Sequence, residues 1–444
     1  MIEQIVNKLK DKKIAILGMG REGKSTYHFL RKYLSDQVFT LLDQKNFELE
    51  QESKVQKVVG KDYLKDLENY DLIIKTPGIS LKDIDVSSIK EKITSQMELF
   101  LEVNRKNVIG ITGTKGKSTT SSLIYEMIKA QNENCILAGN IGIPIFDCLD
   151  GANEKTIFVL EMSSHQLEYL KVSPHIGLIL NLFEDHLDHA GSVEHYHNIK
   201  MNMFKYQTCE DKMIYCLSHE TLRRKIEENC FESQAYPIDL VHSNGTVYCK
   251  EKAIYFRDKK IYDTTLKRNL LGYHNLENIV FALTVIELLH LDNEKAIQVA
   301  NQFTTLAYRL ESIGTFDDVT YYMSLLSTIP EATINDIEAL ENVNTLIFGG
   351  MDRGISYDKL IDYLKKSSIE HFICMPTTGY KIASYLPKEK VFLADTLKEA
   401  VEVAKKVTKK NTLCLLSPAA SSYEQFKNYE EKGDTFREFV TQLN

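Results

Sequence analysis

The sequence predicts an α/β protein of three consecutive domains, and three observations carry that prediction. Short apolar runs bounded by turn residues recur along the chain, among them those in KKIAIL (12–17), NVIGIT (107–112) and NTLCLLSP (411–418). Runs with no polar alternation suit strands of a parallel sheet covered on both faces. Two of them pass through a glycine-rich turn directly into a helix, in KKIAILGMGREGKSTYHFLRKYL and NVIGITGTKGKSTT. At 444 residues, 43% hydrophobic and 26% charged, the chain can bury several cores.

Taken in order, MIEQIVNKLKDKK places Ile2, Ile5, Val6 and Leu9 on one side of a short amphipathic helix. The first segment then gives a strand, turn and helix, followed by the strands VFTLLD (38–43) and YDLIIKTPGI (70–79). This predicts a Rossmann-like domain over 1–101. The second segment opens at NVIGIT, contains the strands TIFVLEMSS (156–164) and HIGLILNLF (175–183), and extends to the helix NLENIVFALTVIELLH (275–290). It predicts a central P-loop-type ATPase domain with a parallel sheet over 102–305. The third segment carries VNTLIFGG, HFICMP, KVFLAD and NTLCLLSP with helices between them, and predicts a second Rossmann-like domain over 306–444. In such folds ligands gather beyond the carboxyl ends of the strands, so sites are expected there.

Composition excludes several classes. A net charge of −8 argues against a long basic groove for nucleic acid. The eight cysteines include no C-x-x-C pair, so neither a zinc ribbon nor a dithiol motif is indicated, and free thiols in a reducing compartment are expected. The N-terminus lacks a signal-peptide core. The longest apolar stretch, IGLILNLF, is too short to cross a bilayer. The expectation is a cytoplasmic monomer without membrane insertion.

The strongest chemical signal is GITGTKGKSTT (110–120). Backbone N–H groups and the helix dipole at a strand–helix junction favour phosphate. Lys117 can reach β- and γ-phosphates, and the Ser118 hydroxyl can bind Mg²⁺. Gly113, Thr114, Lys115, Gly116 and Thr119 complete the loop. The spacing departs from the common P-loop, because the position five before Gly116 is Ile111. G-x-T-G-T-x-G-K-[ST]-T instead resembles the signature of the Mur ligase family of ATP-dependent amide ligases.

EMSSHQLE (161–168) resembles that family's E-x-S-S-x-Q-L. The resemblance implies Glu161 as a Mg²⁺ ligand, with Ser163 and Gln166 near the substrate. NLFEDHLDH (181–189) resembles N-x-x-x-D-H-x-D, which implies His186 as ligand of a second Mg²⁺. Read alone, EDHLDH with His195 and His197 also admits a zinc cluster. HYHNIKMNMFKY (195–206) places Lys200 where the family carries a carbamylated lysine that serves the second metal. GNIGIP (139–144) implies Asn140 as a substrate contact. GYHNLEN (272–278) implies Asn275 against adenine. YRLE (308–311) matches H-R-[FL]-E with Tyr308 in place of His, and implies that Arg309 meets the ATP phosphates.

In the first segment Gly18, Gly20 and Gly23 form G-x-G-x-x-G after a strand, and Asp43 ends the next strand. Alone this is a weak dinucleotide fingerprint, and an NAD enzyme is its alternative reading. In the family the same place takes the uridine diphosphate of the substrate. KTPGIS (75–80) resembles its S-P-G-I loop, which adds Thr76, Pro77 and Gly78. SPAASSYEQFKNYEEKG (417–433) resembles S-P-A-x-A-S-x-D-Q-F-K-N-F-E-x-R-G of the members that add D-glutamate. That resemblance implies Ser422, Tyr429, Thr328 and the cation Arg353 as glutamate contacts, since Arg can fork onto a carboxylate.

The resemblance covers essentially the whole chain. It implies ATP, two Mg²⁺ ions, UDP-N-acetylmuramoyl-L-alanine and glutamate as ligands. It breaks in YYMSLLSTIPEAT (321–333): Met323, Ser324 and Leu326 stand where the family has Asn, Asp and Lys. An L-glutamate-adding variant, another ligase of the superfamily and a non-catalytic nucleotide-binding relative are the alternatives that this break leaves open.

Overall fold

A computed structural model describes residues 1–49, 54–141, 143–185, 190–304, 307–340, 342–422 and 425–442. The chain forms two compact units. One comprises Met1–Phe183, His189–Thr265 and Asn278–Ala300; the other comprises Glu184–Asp188, Leu266–Glu277 and Asn301–Asn444. The architecture is α/β with three sheets, two in the first unit and one in the second.

The first sheet has strands β1 (Ile14–Leu17), β2 (Phe39–Asp43), β3 (Val55–Val59), β4 (Leu72–Lys75) and β5 (Ile93–Thr94), in the order β3-β2-β1-β4-β5. All of its pairings are parallel. IAIL is buried at every position, as its unbroken apolar run requires. The amphipathic N-terminus is a helix over Ile2–Leu9 that buries Ile5 and Leu9.

The second sheet holds β6 (Val108–Thr112), β7 (Cys135–Gly139), β8 (Ile157–Glu161), β9 (Ile176–Ile179), β10 (Lys212–Cys216), β11 (Gln234–Asp239), β12 (Val247–Lys250), β13 (Ala253–Phe256) and β14 (Lys259–Asp263). The order is β14-β13-β12-β11-β10-β9-β6-β8-β7. The strands from β7 to β12 are parallel, whereas β12, β13 and β14 pair antiparallel. The expected parallel sheet is thus extended by an antiparallel edge. The β12–β13 hairpin turns through Glu251 and Lys252 at φ 52° and 63°, the left-handed pair that a two-residue hairpin turn needs. β6 sits inside this sheet, between β9 and β8.

The two sheets share one apolar core. Phe29, on the helix Arg21–Tyr33, lies 4.2 Å from Phe146, and Phe100 lies 4.7 Å from Phe158 (ring centroids). Polar bonds cross the same seam: Ser25 Oγ donates to Asp147 at 2.7 Å, and buried Gln96 donates to Ser25 and Thr26 at 3.1 Å. The helix Gln96–Asn104 runs through residue 101, where the sequence places its first domain boundary.

In the second unit the sheet is β15 (Glu311–Phe316), β16 (Val319–Met323), β17 (Val343–Phe348), β18 (His371–Cys374), β19 (Val391–Leu393) and β20 (Thr412–Leu416), in the order β15-β16-β20-β17-β18-β19. Only the β15–β16 hairpin is antiparallel among the described pairings. No helix among the described residues is long and apolar enough to cross a membrane.

Two stability outcomes follow from this packing. A Cβ on Gly23 would lie 1.9 Å from the Gly18 carbonyl oxygen, which is backbone and cannot swing aside. Gly23→Ala is therefore expected to cost about 2–3 kcal/mol, read as a lower denaturation midpoint in urea. Burial raises the Glu22 carboxyl from its ordinary range to about 7. A carboxyl that folding makes harder to ionise gives stability that is full at low pH and is lost as pH rises through the raised value. The melting temperature of Glu22→Gln should thus gain on the parent protein between pH 5 and pH 8; a difference that is flat with pH would refute this.

Candidate functional site

The turn after β6 is built for close backbone approach. Gly113 has φ 153°, and Gly116, at φ 84°, caps the helix Lys117–Lys129. A Cβ on Gly116 would come within 2.6 Å of Asn278 Oδ1. The turn is clamped from the β9 side. Thr114 N–H donates to the Asn181 carbonyl at 3.1 Å, Lys115 N–H donates to Asn181 Oδ1 at 2.9 Å, and Asn181 Nδ2 donates back to the Lys115 carbonyl at 3.1 Å. Thr114 Oγ1 accepts from Phe183 N–H at 3.0 Å. From the helix Tyr273–Leu288, Asn278 Oδ1 accepts from Thr120 Oγ1 at 3.1 Å. Lys117 Nζ lies back over the turn, 3.0 Å from the carbonyls of Gly113 and Thr114. Ser118 and Thr119 are buried in the first helical turn.

Glu161 ends β8, next to β6. Its side chain is 1% exposed. Oε1 accepts from Asn140 Nδ2 at 2.6 Å, and Oε2 is buried without a hydrogen-bond partner among the described residues. Gly139 makes this contact possible: a Cβ there would lie 2.4 Å from the Glu161 carbonyl oxygen. A buried carboxylate oxygen with no donor is costly in an apolar medium, and it offers the hard oxygen that Mg²⁺ prefers. Lys200, on the helix Val193–Lys205, is equally sealed. Its Nζ donates to the Gly113 carbonyl at 3.0 Å and to Thr112 Oγ1 at 3.4 Å, and sits 4.9 Å from the Tyr196 ring centroid. The structure therefore brings Lys117, Ser118, Glu161, Asn140 and Lys200 to the ends of adjacent strands. His186 lies outside the described residues. His195 is exposed, and buried His197 meets the Phe183 carbonyl at 3.3 Å, with burial lowering its pKa.

In the same unit, Gly18 and Thr76 pack closely at the ends of β1 and β4, and Thr76 Oγ1 donates to the Leu17 carbonyl at 3.0 Å. Asp43 Oδ2 accepts the Met19 N–H at 2.6 Å, which fixes the glycine turn. Pro77 and Gly78 follow Thr76 in the loop, and Gly20 caps the helix that carries Gly23. Ser163 and Gln166 form a capping box on the short helix Ser164–Leu167. Gln166 Nε2 then reaches Glu22 at 3.3 Å.

The second unit holds the remaining predicted residues. Arg353 Nη1 lies 3.2 Å from Asp185 Oδ1, and its Nη2 lies 3.4 Å from Ser421 Oγ. Ser422 Oγ is buried with no partner among the described residues. Tyr429 begins the helix Tyr429–Thr441, with its ring centroid 5.7 Å from that of Tyr308. Thr328 is half-buried in the loop before the helix Pro330–Ala339, and Arg309 is half-buried ahead of β15. Asn275 is buried, and its Nδ2 donates to the Leu271 carbonyl at 2.7 Å. Ser324 is also buried, its Oγ 3.1 Å from Ser327 Oγ.

Sequence reasoning missed Asn181, Asn278, Asp185 and Lys432. The first three lie inside quoted motifs, but their clamping bonds are long-range. Lys432 stands where the resembled motif has Arg. It is 2% exposed, its Nζ is 3.4 Å from the Gly349 carbonyl, and burial lowers it to about 8.

Residues 111–286 match the Mur ligase middle domain. The chain is 30% identical to the UDP-N-acetylmuramoylalanine–D-glutamate ligase of Acetivibrio thermocellus, over 98% of this chain and 97% of that one. It is 33% identical to the ligase of the same name from Clostridium botulinum strain Okra, over 98% of both. Among solved structures, a MurF ligase from Thermotoga maritima in complex with ADP superposes with a TM-score of 0.59 at 15% identity, over 99% of this chain and 98% of that one. With near-complete relatives at this identity and the middle-domain match, the chain belongs to the Mur ligase family.

Proposed function

We propose that the chain is an ATP-dependent amide ligase that adds glutamate, D-glutamate by preference, to UDP-N-acetylmuramoyl-L-alanine in peptidoglycan precursor synthesis. The observation that carries this reading is the group at the ends of β6 and β8: a glycine turn with Lys117 lying over it, beside a buried carboxylate oxygen of Glu161 that has no hydrogen bond among the described residues. The division of labour follows the sequence. Residues 1–101 hold the uridine diphosphate, 102–305 hold ATP, and 306–444 hold the amino acid. The protein works in the cytoplasm as a monomer.

The substrate's alanyl carboxylate oxygen attacks the γ-phosphorus, the bond to the ADP oxygen breaks, and an acyl phosphate forms. The glutamate amine then attacks the acyl carbon, loses a proton, and expels inorganic phosphate. The Gly113–Gly116 turn and the first turn of its helix cradle the triphosphate, aided by the helix dipole. Lys117 leaves the carbonyls it now bonds and meets the β- and γ-phosphate oxygens. Asn140 orients Glu161 through Oε1 and leaves Oε2 for a cation. Bound there by Glu161 and Ser118, and at a second position by His186 and carbamylated Lys200, Mg²⁺ supplies positive charge that offsets the transferring phosphoryl group. Ser163, Gln166 and Asn140 line the substrate's path. Gly18, Gly20, Gly23, Asp43 and Thr76–Gly78 seat its nucleotide end. Asn275 and Arg309 serve adenine and phosphates. Arg353, Ser422, Tyr429 and Thr328 receive the glutamate carboxylates.

A second reading, a relative that binds these ligands without turnover, is favoured by Ser324 and Leu326, which lack the acid and base of the resembled motif.

Purified protein with ATP, Mg²⁺, UDP-N-acetylmuramoyl-L-alanine and D-glutamate is expected to release phosphate. Binding of both ATP and the nucleotide substrate, with no release for either glutamate stereoisomer, would replace the ligase reading with the second one. Glu161→Gln should lower kcat by at least about 100-fold, while its circular dichroism melt stays near that of the parent. Full activity in this variant would remove Glu161 from the metal site.

A further inference from the structure

Three segments assigned to the UDP-substrate share one buried cluster of charges. Glu22 comes from the G-x-G-x-x-G turn, Lys75 from the start of KTPGIS, and Glu168 from the end of EMSSHQLE. Lys75 is the last residue of β4, with a side chain 3% exposed. Its Nζ lies 3.5 Å from Glu168 Oε2 and 3.4 Å from the Thr76 carbonyl, and 5.5 Å from the Tyr169 ring centroid. Glu22 is joined to the same group through Gln166. That amide is held at both ends: Oε1 accepts from Ser163 N–H at 3.1 Å, and Nε2 donates to Glu22 Oε2 at 3.3 Å. The charges acting on Glu22 are Lys75, across the cluster, and Arg21 beside it; those acting on Lys75 are Glu168 and Glu22. A cavity of about 10 Å³ adjoins Lys75, lined by Thr94, Ser95, His165, Gln166 and Tyr169. That is room for about one water.

Such a group is a poor way to hold two sheets together. Taking an ammonium and two carboxylates out of water costs more than their attraction returns unless every bond is good, and apolar side chains of similar volume usually serve stability as well. Here the closest ion pair is 3.5 Å, and burial depresses the Lys75 amine and raises the Glu22 carboxyl. What the cluster does fix is relative position. It links the glycine turn after β1, the Thr76 loop after β4, and the Ser163–Gln166 cap after β8. Under the proposed reading, these three segments must seat the two ends of one substrate at a set span.

We infer that Lys75, Glu168 and Glu22 form a positioning cluster that sets the span between the nucleotide end and the reacting end of the UDP-substrate. The inference rests on the ligase reading above. Lys75 acts through Thr76, and Glu22 acts through Gln166.

The test is steady-state kinetics on the full chain with Lys75→Met, Lys75→Arg and the double variant Lys75→Met with Glu168→Leu. The double variant removes the buried pair together, so it is expected to melt no lower than the parent. Its KM for UDP-N-acetylmuramoyl-L-alanine should rise about tenfold or more, with the KM values for ATP and glutamate within about twofold, because only one substrate spans the cluster. Lys75→Arg, which keeps the charge, should recover most of the loss. A folded double variant with unchanged KM for the UDP-substrate overturns the inference, as does an equal rise for all three substrates. Calorimetry with UDP-N-acetylmuramoyl-L-alanine, which reaches both ends, separates this from the parent reading. If the parent protein binds it but releases no phosphate, the ligase reading fails, and the double variant's Kd decides the cluster by the same about tenfold criterion. No binding at all retires both.

Discussion

A buried lysine bonded to one carbonyl oxygen organises the phosphate turn. Lys200 reaches from its helix to Gly113, the residue at which β6 leaves its sheet, and Lys117 bonds the same oxygen from the other direction. Two ammonium groups share one carbonyl oxygen, whose two lone pairs can accept both. This keeps the turn folded onto the strand end, where the N–H groups of Thr114 and Lys115 are held by Asn181. The clamps from Asn181 and Asn278 then fix the two flanks. Carbamylation would leave one Nζ–H on Lys200 that can still donate to the Gly113 carbonyl, and would exchange the positive charge for a carboxylate that needs a cation or donors beside it.

How much of this was legible depended on how local the determinant was. Several parallel strands announced themselves by an apolar run, whereas β3 (VQKVV) and β11 (QAYPID) carry no such run and went unread. The runs also overshot: HIGLILNLF ends as β9 at Ile179, and YDLIIKTPGI is strand only over Leu72–Lys75. Beyond those points the backbone turns away to form the site, so the apolar residues that continue pack loops rather than pair. The antiparallel strands β12 to β14 were missed because their first turn carries Glu251 and Lys252 where a hairpin usually shows Asn-Gly or Asp-Gly. The hairpin of β15 and β16 turns the same way through Asp317 and Asp318. In both, sheet pairing and the flanking buried residues override a poor local preference.

Site residues divide along the same line. Gly113, Gly116, Lys117 and Ser118 occupy one turn, and the spacing of that turn reveals them. Asn181, Asn278 and Asp185 act on residues 66 to 168 positions away along the chain, so no spacing rule points to their clamping bonds. The Glu22–Lys75–Glu168 cluster was hidden for a further reason. Each member looks like an ordinary surface charge in its own segment, and only the packing of the first two sheets buries them together.

The departures at Met323, Ser324 and Leu326 look different once their surroundings are known. Met323 ends β16 fully buried in the apolar core of the second unit, and the Ser324 N–H donates to the Leu416 carbonyl at 2.8 Å. The Ser324 hydroxyl is satisfied by Ser327. An aspartate at Ser324 would have to ionise 4% exposed, beside a serine and a leucine, which costs several kcal/mol unless a ligand supplies donors. The serine needs no such ligand. This stretch is thus stable on its own, where the resembled sequence pattern carries an acid whose burial asks for a partner. In the same unit the buried amine of Lys432 meets the Gly349 carbonyl at 3.4 Å, and the Ser422 hydroxyl is one of the buried groups with no hydrogen bond among the described residues.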